Sequence, residues 1–206
     1  MTDETGKPSE ATTSPSAGGG DVHDWGPLVN DLESRRARAL SMGGPDAIAR
    51  QRSLQKLTVR ERLDLLIDPG TWVEYGMLAD SMDAAYEGRY LAADGAVTGI
   101  GEIDGRRVAV AAYDFTVLAG SMGRIGEQKI KRMREAALRQ RIPMVWLLDS
   151  AGARIQAQSG STFAGMGDLF REQVTMSGVF QWSPRCSVTV PLGRRTSQGS
   201  RILCRW

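Results

Sequence analysis

PMVWLLDSAGAR, residues 143–154, is the stretch that decides the fold of this chain. Its first six residues form a continuous apolar run, which predicts a short strand buried on both faces. Its last six residues are small or polar, and they predict a turn that leads into a helix. Earlier in the chain, FTVLAGSMG (residues 115–123) also ends in small residues before a predicted helix. Strand, small-residue turn and helix thus follow one another twice, which predicts layered α/β architecture.

The helix between these two segments is predicted to run from about Ile125 to Arg141. Its predicted buried face consists of Ile130, Met133, Ala137 and Leu138. Upstream of it, residues 96–100 and 107–112 form two apolar runs, and Asp104-Gly105 between them is a strong hairpin signal. One further short strand is predicted around Trp72, Val73 and Tyr75. The sheet is therefore expected to begin with antiparallel strands.

Three helices are predicted between Trp25 and Ile67. In the first, Leu28, Leu32, Ala39 and Leu40 follow a spacing of three to four residues, which predicts one apolar face. The second is predicted from Pro45 through Arg52, after a Gly-Gly-Pro break. The third is predicted to begin at Thr58, because T-V-R-E has the form of a capping box with Glu61 three residues after Thr58.

Composition limits the class of protein. The chain of 206 residues is long enough for one domain, and residues 1–24 are predicted to be a disordered leader because they are mostly polar and small. No secretory signal or apolar membrane span is found, so a cytoplasmic protein with no membrane partner is expected. The formal net charge is only +2, and the basic residues before residue 180 are interleaved with acids. A nucleic-acid partner is therefore not expected.

The residue types available restrict the chemistry. Residues 1–179 contain no cysteine, and the only histidine of the chain is His23, at the edge of the leader. This excludes a thiol nucleophile and a His-dependent triad from this part of the chain, and no metal site is expected. Chemistry here must use backbone groups, carboxylates, Lys, Arg or hydroxyls.

Two turns are candidate sites: residues 119–123 (AGSMG) and 150–153 (SAGA). Small side chains let a ligand approach the backbone, and the N–H groups at a helix start attract an anion or a developing oxyanion. The alternative is that both are ordinary strand-to-helix connections that are tight because helix and sheet pack closely. Ser121 and Ser150 have no nearby base in the sequence, so neither is predicted to be a nucleophile.

Charged residues near these turns also allow two interpretations. Asp149 is either a general base or, as the first polar residue after a strand, a helix cap. A basic stretch of the long helix either binds phosphates or forms a solvated helix face; it consists of Lys129, Lys131, Arg132, Arg134, Arg139 and Arg141.

Three segments resemble the N-terminal half of the biotin-dependent acyl-CoA carboxyltransferase β subunits, the family of propionyl-CoA and acetyl-CoA carboxylases. They are QKLTVRERLDLLIDPGTWVE (residues 55–74), DGAVTGIGEIDGRRVAVAAYDFTVLAGSMG (94–123) and PMVWLLDSAGARIQ (143–156). The resemblance extends from about Leu32 to Val179. The sequence departs from the family pattern at Gln55, at Ala151 and from Ala157 to Thr162, which leaves substrate preference open.

This resemblance implies an α/β fold of the crotonase superfamily, a spiral of ββα units preceded by N-terminal helices and here truncated. Residues 25–179 would form an incomplete acyl-CoA carboxyltransferase N-terminal domain. Acyl-CoA is the implied substrate, and biotin is the implied cofactor, carried on a partner subunit. The implied partners are a biotin carboxylase and biotin carboxyl carrier α subunit and other β subunits, in a homo-oligomer when the protein is intact.

The resemblance also implies a site. The carboxyl group would move from carboxybiotin to the α-carbon of the thioester by way of an enolate, so negative charge on the thioester oxygen must be stabilised. Backbone N–H groups of Gly152 and Ala153 are the implied oxyanion hole. The implied acyl-CoA-binding residues are Gly120, Ser121, Met122, Gly123, Ser150, Ala151 and Arg154.

Residues 180–206 differ in composition from the rest of the chain. They hold five arginines, no Asp, Glu or Lys, and both cysteines, Cys186 and Cys204. Restoring one base before Phe180 in GC-rich codons permits a family-like sequence, so we expect an out-of-frame, non-family tail; a basic extension that binds nucleic acid, anionic lipid or a metal is the alternative. The DNA across Val179 decides between them.

Two functional consequences are expected. A chain that carries only the acyl-CoA half is predicted to be inactive alone in carboxyl transfer. The alternatives are a non-catalytic acyl-CoA-binding or subunit-interaction protein, and a crotonase-like decarboxylase or hydratase.

Overall fold

The computed structural model describes residues 25–81, 86–155 and 167–179. The predicted leader (1–24), the departure from the family pattern at 157–162 and the tail (180–206) lie outside the described residues. The described elements begin with three helices: α1 (Gly26–Leu40), α2 (Pro45–Ser53) and α3 (Val59–Leu66). The capping box at the start of α3 is confirmed, because the Thr58 side chain accepts from the Glu61 N–H and the Glu61 carboxylate accepts from the Thr58 N–H.

A four-stranded sheet follows: β1 (Val73–Tyr75), β2 (Ala96–Ile103), β3 (Arg106–Tyr113) and β4 (Met144–Leu147), in that spatial order. The first three strands pair antiparallel, and β3 and β4 pair parallel. The predicted hairpin is confirmed: Asp104 and Gly105 have φ of +50° and +70°. Positive φ at both central residues is what a two-residue type I′ turn requires, and Asp-Gly adopts it readily.

Helix α4 (Arg124–Gln140) connects β3 to β4, and α5 (Gly167–Met176) packs beside α4. The sheet has a buried face on each side. On one side, Val97, Val108 and Val110 pack with Val59 and Leu63 of the α3 region. On the other side, residues of α4 pack against β2 and β3; the clusters include Ile100, Ala109, Ala111, Ile130, Met133 and Ala137. The layered α/β architecture predicted from the sequence is therefore confirmed.

One prediction about burial was wrong. Strand β4 is not buried on both faces, because Val145 and Leu147 are buried whereas Met144 and Trp146 are partly exposed. It also forms the edge of the sheet among the described residues. In α1, Ala39 is the only buried residue, and the predicted face residues Leu28, Leu32 and Leu40 are exposed. The spacing was helical, but the described part of the chain provides no partner for that face.

The described ranges were also searched for membrane-crossing segments. None of their helices combines the length and the apolar character that a bilayer span requires.

Candidate functional site

The two predicted turns lie side by side. The Met122 N–H donates to the Gly152 carbonyl at 2.9 Å, and the Arg154 N–H donates to the Met122 carbonyl at 3.1 Å, which forms a parallel β-bridge between Met122 and Ala153. A third bond runs from the Ala151 N–H to the Ala119 carbonyl at 2.9 Å. The turn after β3 and the turn after β4 are therefore one hydrogen-bonded unit.

The bridge determines where the amide of Ala153 points. In a parallel bridge the residue whose N–H and carbonyl both bond across is Met122, so the polar groups of Ala153 face away from residues 119–123. No described residue accepts the Ala153 N–H, and Ala153 is exposed. The neighbouring Gly152 N–H donates to the Ser150 hydroxyl at 3.0 Å. The turn thus presents the N–H of Ala153 to solvent, and the adjacent N–H of Gly152 is hydrogen-bonded to a hydroxyl.

Two glycines allow the turns to approach this closely. Gly120 has φ of +63°, and a Cβ added to it would lie 2.3 Å from the carbonyl oxygen of Asp149. A Cβ on Gly123 would lie 2.3 Å from Nη1 of Arg154. Close packing therefore explains both glycines, and their contact with acyl-CoA stays a prediction.

The start of α4 already holds an anion of this chain. The carboxylate of Asp94 accepts the Gly126 N–H through Oδ2 at 2.7 Å. The sequence left two interpretations of this helix start open: an anion site for a ligand, or an ordinary tight connection. At Gly126 an internal carboxylate occupies the position of an anion and benefits from the helix dipole.

The same carboxylate pairs with Arg154, at the end of the second turn. The side chains of Arg154 and Asp94 are only 1% and 0% exposed. The guanidinium also donates to the Ser121 carbonyl at 3.0 Å and to the Ser121 hydroxyl at 3.2 Å. The ring of Tyr86 lies 5.4 Å from the guanidinium carbon. The side chain of Arg154 is therefore directed into the protein and ties the two turns together, so its contact with acyl-CoA also stays a prediction.

The backbone around Asp94 is held in an unusual conformation. Ala93, Asp94 and Gly95 have φ of +51°, +50° and +72°. The ammonium of Lys129 donates to the Ala93 carbonyl at 3.1 Å and to the Ala96 carbonyl, which lie on either side of Asp94 and Gly95. Burial lowers the pKa of Lys129 to about 8, although the carboxylates of Glu74 and Asp94 oppose the shift. Lys129 therefore supports the backbone that carries Asp94.

Asp149 anchors the other end of the second turn. Its carboxylate is 2% exposed and lies 2.7 Å from Nη2 of Arg62 and 3.1 Å from Nζ of Lys56. The side-chain amide of Gln51 donates to it at 3.3 Å. The sequence suggested that Asp149 is either a general base or a helix cap. Instead, its carboxylate is buried and binds residues of the N-terminal helical region. The turn at 150–153 thus has a buried, ion-paired carboxylate at each end: Asp149 before it, and Asp94, which pairs with Arg154, after it.

The basic stretch of α4 divides into two groups. Arg132, Arg139 and Arg141 are exposed, which confirms a solvated helix face for these residues. Arg134 is buried and pairs with Glu127 at 2.7 Å and Glu172 at 2.6 Å, while Lys131 pairs with Asp168. The solvated-face interpretation was wrong for Lys129 and Arg134. These cations bind groups of this chain, and Arg134 joins α4 to α5.

Sequence reasoning missed Asp94, Gln51, Lys56 and Arg62 as residues that fix the site. Their partners lie between 60 and 98 residues away in the chain. The burial of Lys129, in contrast, could have been predicted from the sequence. Lys129 is four residues before Met133 and eight before Ala137, so helical spacing places it on the buried face of α4.

Residues 50–183 match the family model of the carboxyl transferase domain. The chain belongs to the carboxyl transferase domain family. It is 40% identical over 153 residues to the propionyl-CoA carboxylase carboxyltransferase subunit of Haloferax mediterranei, covering 73% of this chain and 30% of that protein. It is 41% identical over 156 residues to the mitochondrial propionyl-CoA carboxylase beta chain of Homo sapiens, covering 73% of this chain and 29% of that protein.

The fold is similar to that of solved carboxyltransferases. The transcarboxylase 12S structure, with methylmalonyl-coenzyme A and methylmalonic acid bound, aligns with a TM-score of 0.69 and 36% identity over 74% of this chain and 30% of that chain. A single-chain, multi-domain long-chain acyl-CoA carboxylase aligns with a TM-score of 0.63 and 32% identity over 72% of this chain and 16% of that chain. These similarities confirm the crotonase-superfamily α/β fold. The chain spans about 30% of the length of the curated relatives it matches.

Proposed function

We propose that residues 25–179 form the acyl-CoA-binding part of a biotin-dependent acyl-CoA carboxyltransferase β subunit. The observation that carries this proposal is the outward-facing N–H of Ala153, next to Gly152 in a turn with a buried, ion-paired carboxylate at each end. A fixed donor at an exposed position suits a thioester carbonyl, because a preorganised donor needs no rearrangement when charge develops on the oxygen. Membership of the carboxyl transferase domain family supports acyl-CoA as the ligand.

In the proposed reaction, the acyl-CoA substrate loses its α-proton and gains a carboxyl group at the α-carbon. The N–H groups of Gly152 and Ala153 stabilise the negative charge on the thioester oxygen of the enolate. For Gly152 this requires that its N–H be released from the Ser150 hydroxyl, 3.0 Å away. A partner subunit would bring carboxybiotin; loss of carbon dioxide from its ureido nitrogen would supply the group that the α-carbon gains, and the freed ureido group would take up the α-proton.

The remaining proposed acyl-CoA-binding residues surround this turn. Ala151 is exposed and Ser150 is partly exposed, so both are accessible to a ligand. Ser121 and Met122 are also partly exposed, on the adjoining turn. Gly120, Gly123 and Arg154 are buried, and we propose that they act by shaping the turn behind the ligand.

The proposed partners are a biotin carboxylase and biotin carboxyl carrier α subunit and other β subunits, in the cytoplasm. The hexamer assembly described for transcarboxylase 12S supports a homo-oligomer as the working form of the whole protein. Because the chain covers about 30% of its relatives, we expect the chain alone not to transfer carboxylate. A non-catalytic acyl-CoA-binding or subunit-interaction protein is the second candidate, and the accessible turn suits it equally well.

Calorimetry with two probes tests the binding site. The first is propionyl-CoA, and the second is a thioether in which a methylene replaces the carbonyl. A hydrogen-bonded carbonyl predicts that the chain binds the thioester about tenfold more tightly, since one to two hydrogen bonds correspond to that factor. Equal binding of both probes, or binding of neither, contradicts the proposed site.

Two further assays test the expected inactivity of the chain and the second candidate function. Purified chain mixed with carboxybiotin and propionyl-CoA is expected to give no methylmalonyl-CoA, and detection of the product overturns the expectation that the chain alone is inactive. Co-purification with a full-length β subunit would favour the subunit-interaction function.

A further inference from the structure

We propose that the hydroxyl of Ser150 donates a hydrogen bond to the thioester oxygen of the substrate, and this inference rests on the proposed function. The Ser150 oxygen accepts the Gly152 N–H at 3.0 Å. A serine hydroxyl that accepts a hydrogen bond still has one O–H to donate. Within the described part of the chain, no group accepts a hydrogen bond from Ser150. The hydroxyl proton is therefore available to a ligand at the turn.

The hydroxyl lies next to the exposed backbone donor of the turn. Its oxygen is 3.0 Å from the Gly152 nitrogen, and the Ala153 nitrogen is the next one along the backbone. Covalent geometry keeps consecutive backbone nitrogens within about 4 Å of each other. Ser150 is partly exposed and Ala153 is exposed, so a ligand oxygen has access to both donors. Two donors directed at one oxygen are the arrangement that stabilises an oxyanion.

Ser150 is held on both sides before any ligand binds. The preceding residue, Asp149, is buried and lies 2.7 Å from the guanidinium of Arg62. The following residue, Ala151, donates its N–H to the Ala119 carbonyl at 2.9 Å. The backbone of the serine is fixed by these contacts, so only the hydroxyl has to turn toward the ligand. The donor is thus preorganised, as stabilisation of a developing charge requires.

Donation by Ser150 makes release of the Gly152 N–H unnecessary. If that amide contacts the thioester oxygen itself, its hydrogen bond to Ser150 must first break. If the hydroxyl donates instead, this bond stays and polarises the hydroxyl, because hydrogen bonds in a chain strengthen one another. Gly152 then stabilises the enolate through Ser150. The proton remains on the Ser150 oxygen throughout, so no covalent bond of the serine breaks and no base is needed.

The variant Ser150→Ala tests this inference, because it removes the hydroxyl and frees the Gly152 N–H. Two donors account for the roughly tenfold preference of the wild type for propionyl-CoA over the thioether, so loss of one is expected to leave about threefold. Affinity for the thioether is expected to stay within about twofold, since the thioether has no carbonyl oxygen. A preference that is unchanged or larger would mean that the freed amide binds the oxygen directly, and it overturns the inference.

Two further substitutions of the serine test whether the hydroxyl is the cause. Ser150→Thr keeps a hydroxyl and is expected to keep the preference of about tenfold. Ser150→Cys has nearly the same size as the wild type but only a weakly donating thiol, so its preference is expected to fall to about threefold. Loss of preference in Ser150→Thr, or full preference in Ser150→Cys, overturns the inference.

Ser53→Ala is the matched control. The Ser53 hydroxyl donates to the Arg50 carbonyl at 2.8 Å on the exposed surface of α2. This variant is expected to keep the wild-type preference, and a fall equal to that of Ser150→Ala would overturn the specific role of Ser150. A wild-type chain without any thioester preference refutes the proposed function itself, and this inference with it. A wild-type preference that persists in Ser150→Ala refutes this inference alone.

Discussion

Asp149 lies 2.7 Å from the guanidinium of Arg62, although 87 residues separate them in the sequence. Arg62 belongs to α3, and Asp149 is the first residue after the apolar run that contains β4. The pair therefore joins the N-terminal helices directly to the turn that carries the proposed oxyanion donors. This contact makes α2 and α3 part of the site instead of an independent extension.

Removing the charge of Asp149 is expected to destabilise the protein. In Asp149→Asn, the partly buried cations of Lys56 and Arg62 lose their shared carboxylate. We expect the free energy of unfolding to fall by about 3 kcal/mol, at the lower end for a broken buried pair because both cations retain some access to water. Urea unfolding followed by circular dichroism measures this. Asp31→Asn, which breaks the exposed pair with Arg35, is the control and is expected to change stability by less than about 0.5 kcal/mol.

Substitution of Gly120 by alanine is expected to push the two turns apart. The added Cβ would collide with the carbonyl of Asp149, and the positive φ adds strain. Gly105→Ala is a matched control, because its φ of +70° is close to the +63° of Gly120 and its Cβ would meet nothing within 4 Å. We expect losses of about 1 kcal/mol for Gly105→Ala and about 2–4 kcal/mol for Gly120→Ala. Equal losses in urea unfolding would mean that the turns relax without cost.

The capping box of α3 gives a third prediction. Thr58→Val keeps the shape of the side chain but removes the oxygen that accepts the Glu61 N–H. We expect a loss of about 1 kcal/mol in thermal or urea unfolding. Thr175→Val removes a hydroxyl that bonds the Arg171 carbonyl on the exposed surface of α5, and it is expected to change stability by less than about 0.5 kcal/mol. If both variants behave alike, the cap does not stabilise α3.

The buried Lys129 predicts a specific dependence of stability on pH. Its pKa is about 8 in the folded protein and near the ordinary lysine value of 10.5 in the unfolded chain, so between these pH values the unfolded state binds up to one more proton. The contribution of Lys129 to the free energy of unfolding therefore rises with pH from about 8 to about 10.5. A neutral amine still has two N–H donors for the two carbonyls, so both hydrogen bonds persist.

Lys129→Met isolates this contribution, because it keeps the apolar stem and removes the titrating group. The difference in free energy of unfolding between wild type and Lys129→Met is expected to shift in favour of the wild type by on the order of 2–3 kcal/mol across the window. Other groups that titrate in this range cancel in the difference. A difference independent of pH would contradict the lowered pKa.

Local features of the fold could be predicted from the sequence because their causes are local. The Thr58 to Glu61 capping box, the Asp104-Gly105 turn and the limits of α4 each depend on residues within a few positions of one another. Helix α4 begins one residue before the predicted start and ends one residue before the predicted end. The two candidate turns were also located correctly, because small residues after apolar runs are a local pattern.

The connections between these features could not be predicted in the same way. Asp94-Gly95 is an Asp-Gly pair, which favours positive φ, but nothing in the sequence indicates that Ala93 is also left-handed; contacts with α4 hold this segment. Arg134 was expected to be exposed because it is charged. It is buried because Glu127 of α4 and Glu172 of α5 provide counter-charges. The charge of Lys129 predicts an exposed side chain, whereas its helical spacing predicts a buried one; the side chain is buried.

The ion pairs at the two ends of the turn also have a consequence for the order of folding. Their partners are separated by 87 to 98 residues at Asp149 and by 60 residues at Arg154. Closing such long loops costs chain entropy before any contact is gained, whereas the β2–β3 hairpin and α4 close over short distances. We therefore expect the hairpin and α4 to form first and the turn to reach its native geometry late. During synthesis, neither end of the turn can be fixed before its own residue, Asp149 or Arg154, has left the ribosome.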